Sequence, residues 1–318
     1  NPHLELPKEN EYFHYKIVKG NFLWSQIFFP LYLFTHPRPN ILFCPAHYAP
    51  RLSPVPTVVT IHDLAYFYYP DEFLKKDLYQ LMNWTKYSIQ KANKIIAVSK
   101  STKDDIKKFY DIAESKIEVI YNGFRTSNET RFQNSKFEIP NAKYLLYVGT
   151  IQPRKNISNL LEGFKKVLVR YPDLKLYLVG RKGWLYESIF RKVEELNLKK
   201  NVIFTGYISN SHLDYLYKHA EAFILPSLYE GFGLPLLEAM SRNLPVLSSN
   251  TASLPEIGGN ACLYFDPTSS EDIKDKIIEL LTNRTLQQHL VKKGKERVQL
   301  FSWEKCGEET LKIIKSRI

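Results

Sequence analysis

Two glutamates, two adjacent cations and one histidine have the types and spacing to handle a phosphorylated ligand: Glu230, Glu238, Arg154, Lys155 and His62. Glu230 and Glu238 have seven residues between them in the run Pro226-Ser227-Leu228-Tyr229-Glu230-Gly231-Phe232-Gly233-Leu234-Pro235-Leu236-Leu237-Glu238-Ala239-Met240. A strand is predicted to end near Leu225, a loop with two glycines follows, and Pro235 falls where a first helical residue needs no N–H. Glycines let the backbone approach a ligand closely, and the free N–H groups of a helix start point at negative charge, so Gly231, Phe232, Gly233 and Leu234 read as an anion-binding turn. A carboxylate beside a phosphate repels it unless it grips a hydroxyl, and its paired oxygens suit the vicinal diol of a ribose. A sugar-bearing nucleotide therefore fits this stretch better than a bare phosphate. Taken singly, Glu230 is also readable as a solvated loop residue and Glu238 as a partner of the helix dipole.

Arg154 and Lys155 lie in Val148-Gly149-Thr150-Ile151-Gln152-Pro153-Arg154-Lys155-Asn156, between a predicted strand and its helix. A planar fork beside a point charge makes a phosphate clamp, although exposed loop cations are common in a basic protein. His62, in Thr60-Ile61-His62-Asp63-Leu64, closes another predicted strand, where an imidazole can bond a sugar hydroxyl, move a proton or simply hold the chain. No Asp-x-Asp pair occurs to hold a divalent metal against a diphosphate, and no metal site is expected.

The elements that must position these groups follow from periodicity. Strands are predicted at Ile41–Cys44, Thr57–Ile61, Lys94–Val98 and Ile117–Tyr121, then at Tyr144–Gly149, Lys175–Val179, Asn201–Thr205, Ala222–Leu225 and Pro245–Ser248. Amphipathic segments alternate with them, the pattern of parallel sheets covered by helices. Ser101-Thr102-Lys103-Asp104 and Ser211-x-x-Asp214 read as helix openings. Residues 123–143 are polar and rich in breakers and are expected to link a first α/β unit, 1–122, to a second, 144–300. A C-terminal helix, 301–318, is expected to pack back on the first unit. The fold expected is α/β, two Rossmann-like doubly wound domains facing a central cleft, with the carboxyl ends of both sheets around the ligand.

Composition limits the alternatives. The 318 residues are 44% hydrophobic and 24% charged, enough apolar surface for two cores and unlike a disordered chain. The net charge of +11 forms no basic tail. That argues against nucleic acid, and a diffuse positive field suits anionic nucleotides or an anionic membrane surface equally well. Cys44, Cys262 and Cys306 are odd in number and form no C-x-x-C pair, as expected of a reducing, cytoplasmic setting. The apolar stretch Phe22–Phe34 is too short to cross a bilayer and is predicted to be a buried helix rather than an anchor at the inner face of the membrane.

The chain resembles the family 4 (group 1) glycosyltransferases of the two-Rossmann GT-B fold. The likeness is dense from Tyr144 to Pro267, through Pro153-Arg154-Lys155-Asn156, Gly206-Tyr207, Glu230-Gly231-Phe232-Gly233-Leu234-Pro235, Glu238-Ala239-Met240 and Leu254-Pro255-Glu256. It runs more thinly through Thr60-Ile61-His62-Asp63 and Ala97-Val98-Ser99. It implies that Glu230 and His62 meet the transferred sugar and Glu238 the ribose. Arg154 and Lys155 would bind the diphosphate, and the backbone of Gly206, Tyr207 and Ile208 would lie near the base. It implies a retaining, cofactor-free hexose transfer, of mannose or glucose type, from a nucleotide-sugar to a saccharide or lipid-linked saccharide. Two departures stand out: Asn243 replaces a usual Gly, and the family's opening strand and Gly-rich loop are absent from these residues, so the first domain is expected to be incomplete. A non-catalytic nucleotide-sugar-binding module is the alternative reading.

Overall fold

The computed structural model of the chain describes residues 7–20, 23–124 and 142–316. The first half contains helix α1 (Phe28–Thr35), strands β1 (Leu42–Cys44) and β2 (Thr57–Ile61), helix α2 (Lys75–Lys91), β3 (Lys94–Ala97), α3 (Lys100–Tyr110) and β4 (Ile117–Val119). The second half contains β5 (Tyr144–Val148), α4 (Ile157–Val167), β6 (Lys175–Val179), α5 (Glu187–Glu195), β7 (Val202–Gly206), α6 (Asn210–His219), β8 (Ala222–Leu225) and α7 (Leu234–Ser241). It continues with β9 (Val246–Ser249), α8 (Leu254–Gly258), β10 (Cys262–Phe265), α9 (Ser270–Thr282), α10 (Arg284–Val298) and α11 (Trp303–Lys315).

Both sheets are parallel, and most residues of their inner strands are apolar, as strands covered by helices on both faces require. Strand β2 is buried at every position and β8 likewise. In the first sheet the described strands run in chain order, β1-β2-β3-β4. The second sheet runs β10-β9-β8-β5-β6-β7, so the winding reverses between β5 and β8. At that point the loops after the two strands diverge to opposite faces and leave a crevice, the preferred ligand position in such sheets. Those two loops carry Arg154-Lys155 and Glu230-Gly231.

Each helix lies where its apolar stripe dictates. Ile157, Leu160, Leu161, Phe164 and Val167 of α4 are all buried, one face of a 3.6-residue repeat. In the first half, Val59, Ile61, Ile95 and Ala97 pack with Ile89 of α2 and Ile106 of α3 on one face of the sheet. The other face presents Val58 and Ile96, with Ile120 beside them, and there α11 crosses from the second half to lay Cys306 and Ile313 against them. The backbone of Ser302 and Trp303, at the start of α11, lies so close to Gly123 that a Cβ on that glycine would overlap it.

Several sequence expectations shift. The cap of α3 is Ser99, whose side chain accepts the Thr102 N–H, rather than Ser101. The cap of α6 is Ser209, which accepts from His212, rather than Ser211. In both, the serine that stands in extended backbone takes the role, because only there does its oxygen reach the third amide. Pro235 is the second residue of α7, not the first. Asn243 does adopt a left-handed conformation after α7, at φ 59°. Strand β10, Cys262-Leu263-Tyr264-Phe265, lies outside the predicted strands and forms the edge of the second sheet beside β9. The apolar helix expected within Phe22–Phe34 is α1, yet only Pro30 and Leu33 are buried in it, while Leu31 is 58% exposed. The segment is apolar all round, so periodicity cannot say which side finds a partner. Of the expected linker, residues 125–141 lie outside the described residues, as do the last two of the chain.

Candidate active site

A cavity of about 250 Å³ lies between the two sheets, lined among others by His62, Asp63, Lys155, Glu230, Gly231 and Gly233. A larger one, about 850 Å³, lies among Met240, Asn243, Lys295, Phe301 and Trp303 and contains none of Glu230, Glu238, Arg154, Lys155 and His62. Chemistry is therefore sought in the smaller cavity. Its floor is the switch point of the second sheet, and its roof is the end of β2.

Lys155 and Glu230, far apart in sequence, meet in an ion pair of 2.5 Å. Both are largely removed from water, their side chains 15% and 14% exposed. Ser227 donates a second bond to Glu230 at 2.7 Å, and the Arg154 guanidinium stands 3.8 Å away. Burial pushes the Glu230 carboxyl up, but Lys155 and Arg154, with the bonds from Lys155 and Ser227, outweigh it and hold the group below its ordinary range. Arg154 also donates to the Tyr229 carbonyl at 2.6 Å, and its own carbonyl accepts the Leu228 N–H at 3.1 Å, so the two loops are stitched together. Asn156, left-handed at φ 56°, completes the stitching by donating to the carbonyls of Pro226 and Pro267. Tyr147 lies buried beneath, its hydroxyl donating to the Thr150 carbonyl. Burial, then the Glu230 charge, raise its pKa well above the ordinary tyrosine range.

The glycines of the loop act as the sequence pattern requires. Gly233 caps α7 at φ 97°, a conformation open to glycine. Gly231 has no room for a side chain, because a Cβ would overlap the His62 carbonyl oxygen. The first half thus touches the glycine turn directly. His62 Nε2 is 2.7 Å from the Pro45 carbonyl, which can only accept, so Nε2 carries a proton. The His47 ring lies 5.6 Å from that of His62, and its Nδ1 has no partner. Burial lowers the His47 pKa to about 4, with nearby Asp63 opposing and His62 adding to the shift, so the ring is neutral at pH 7.

His62, Lys155, Glu230 and residues 231–234 thus share one cavity, with Arg154 behind it. Glu238 does not line it. The fifth residue of α7, Glu238 accepts a bond from the buried Tyr217 hydroxyl at 3.0 Å. Gly206, Tyr207 and Ile208 lie beyond it at the end of β7, where Arg181 stands over the exposed Tyr207 ring at 4.8 Å. Sequence motifs missed the groups that hold the loop from the first half, Asp105 and Thr102, since both read as ordinary residues of an amphipathic helix. Among the described residues, no group of three or more His, Cys, Asp or Glu side chains is placed to hold a metal ion, and no helix is long and apolar enough to cross a membrane.

Two facing parallel α/β layers with a switch-point cavity bearing this constellation define the GT-B class of glycosyltransferases. The chain belongs to the group 1 glycosyltransferases: that family's model matches residues 128–297, and the model for Glycosyltransferase Family 4 matches residues 13–128. It is 33% identical over 269 residues to the O-antigen chain mannosyltransferase B of Escherichia coli, covering 81% of this chain and 70% of that protein. It is 34% identical over 236 residues to the O-antigen chain mannosyltransferase RfbU of Salmonella typhimurium, covering 74% of this chain and 64% of the relative. The fold is similar to sucrose-phosphate synthase from Thermosynechococcus elongatus, with a TM-score of 0.73 at 22% identity, covering 91% of this chain and 76% of that one. It is also similar to Anabaena HepE solved with UDP and glucose, TM-score 0.67 at 18% identity, covering 83% and 73%.

Proposed function

We propose that the chain transfers a hexose, with retention and without a metal ion, from a nucleotide-sugar to a saccharide or lipid-linked saccharide. The observation that carries this reading is the convergence of Lys155, Glu230 and the α7 start on one cavity at the switch point, with Arg154 behind Glu230. Lys155, Arg154 and the amides at the α7 start stabilise the diphosphate as its bond to the sugar breaks, the work a divalent cation does elsewhere. The acceptor oxygen bonds to the same face of the anomeric carbon, and its proton passes to a phosphate oxygen. Glu230 faces the positive charge that develops on the sugar. The cavity is small for a whole nucleotide-sugar. The diphosphate and hexose occupy it, the ribose reaches toward Glu238 and the base toward Gly206, Tyr207 and Ile208. The relatives' names favour mannose as the hexose.

The test is turnover of a donor panel by the purified chain in a chelating buffer, followed by mass spectrometry, with acceptor in solution and in anionic vesicles. Exposed Tyr12, Ile17, Trp24, Leu31 and Phe34, near Lys16, Lys19 and Arg38, resemble residues that settle at a lipid surface, so vesicles should raise the rate. Binding of nucleoside diphosphate without turnover of any donor would leave the binding-module reading instead. Activity restored only by added Mg²⁺ or Mn²⁺ would contradict metal independence.

The clamp makes its own prediction. Lys155→Ala should weaken nucleoside diphosphate binding by about tenfold or more, since a hydrogen bond to a charged group is worth about 1.5–3 kcal/mol, and should leave nucleoside binding unchanged. Adding Arg154→Ala should deepen the loss, though Arg154 also holds the Tyr229 carbonyl and the single variant is the cleaner one. Calorimetry with both ligands decides it, and equal losses would place the diphosphate elsewhere.

A further inference from the structure

We propose that Asp105 on α3 is a positioning residue for Glu230, acting across the cleft through the hydroxyl of Tyr229. This rests on the reading of Glu230 given above and adds the means by which the first half sets it.

Asp105 is 7% exposed and forms no salt bridge among the described residues. Its two oxygens are instead each met by a phenol: Oδ1 by Tyr68 of its own half at 2.6 Å, Oδ2 by Tyr229 of the donor half. A buried carboxylate is costly unless its oxygens are bonded, so separating the halves would leave Oδ2 without its donor. The phenol rings of Tyr68 and Tyr229 also stack, with centroids 5.4 Å apart, and Lys108 lies 4.8 Å over the Tyr68 ring.

Tyr229 immediately precedes Glu230. Its side chain is tied to the first half through Asp105, while its carbonyl is tied to Arg154. On the same face of α3 and one turn earlier, Thr102 donates to the Gly231 carbonyl at 3.4 Å. The N-terminus of α3 is gripped in turn by Glu256, whose carboxylate accepts the amides of Lys100 at 2.8 Å and Ser101 at 3.1 Å. Residues 229 and 231 are therefore both held by α3, which fixes the chain on either side of Glu230, while Lys155 and Ser227 of its own half hold the carboxylate and Ser253 the carbonyl. The diphosphate groups, by contrast, all come from the donor half.

Docking of α3 should thus govern the chemical step more than nucleotide affinity. Tyr229→Phe keeps the ring and removes only the hydroxyl, and Asp105→Asn keeps the volume. Each should lower kcat about tenfold while the affinity for nucleoside diphosphate stays within about twofold, and the double variant should be no worse than the weaker single, because both break one contact. Amide exchange at residues 229–231, measured with nucleoside diphosphate bound, should speed up at least tenfold in Tyr229→Phe and in Thr102→Val. The exchange readout needs no turnover, so it decides the contact even if no donor is used by the enzyme. Unchanged exchange, additive losses in the double variant, or a loss confined to nucleoside diphosphate affinity would each overturn the proposal.

Discussion

Glu230→Gln should lower kcat about 10²-fold, the usual loss on removing one electrostatic stabiliser, while nucleoside diphosphate binds at least as tightly as before. The two halves of this result have one cause. In the free protein the Glu230 carboxylate already occupies Lys155, at 2.5 Å, so an arriving diphosphate must share that cation with it. The amide removes a negative charge from the anion's neighbourhood and favours the diphosphate. In the proposed transfer the sugar gains positive charge, and the carboxylate that was a competitor would become a stabiliser whose value is confined to the transition state. Glu238→Gln should behave differently. Glu238 stands clear of the cavity on the Tyr217 hydroxyl, and a ribose grip is equally strong in ground and transition states, so its loss should raise the donor KM more than it changes kcat. Steady-state kinetics and calorimetry on both variants check this, and a Glu230 variant changed only in KM would reverse the roles. Acid provides a consistent sign. Because the folded state holds the Glu230 pKa below its unfolded value, its contribution to stability is full above the ordinary carboxylate range and is lost as pH falls through the lowered value. Melting of the wild type should therefore drop more steeply on acidification than melting of Glu230→Gln.

Gly231→Ala should abolish turnover, by 10²-fold or more, with little change in the folding of either half. The new methyl would enter the His62 carbonyl oxygen and press on the Asp63 side chain, and backbone at the end of a buried strand cannot step aside. The cheapest relief is to move the halves apart, which leaves each core intact but parts Glu230 from the elements that aim it. If the loss resembles that of one preorganised group, it exceeds about 2.7 kcal/mol in the barrier. Thermal melts should show each half still folded, small-angle scattering a larger radius, and kinetics a lost kcat. Normal turnover in this variant would mean that the closed arrangement is not the reacting one.

Much of this arrangement was legible beforehand, for identifiable reasons. Strands β5 and β8 are continuous apolar runs and β2 and β6 nearly so, as a sheet covered on both faces requires, and their order of alternation with helices implied parallel layers. Gly231 and Gly233 announced a turn approached closely by something else, and His62 turned out to be part of what approaches. The ion pair between Lys155 and Glu230 was not legible, because residues 75 positions apart carry no mark of contact, and each had been given a separate duty. Asp105 was hidden for a related reason: in Lys100-Ser101-Thr102-Lys103-Asp104-Asp105 nothing distinguishes the buried aspartate from its solvated neighbour. The face of α1 escaped because a segment apolar on every side has no phase to read.

The crossing of α11 has a mechanical consequence. The chain passes between the halves twice, once after Gly123 and again at Ser302, and the two passages touch where Gly123 lies against the backbone of Trp303. Two bodies joined by one strand can swivel in any direction, whereas two strands in contact form a knuckle with a single preferred axis. Opening at that knuckle would part α3 from the Tyr229–Gly231 loop, whose bonds to Asp105 and Thr102 are the ones that span the cleft there. Shortening the chain at residue 301 would strip Cys306 and Ile313 from the face of Val58 and Ile96 and leave the halves on a single, looser leash.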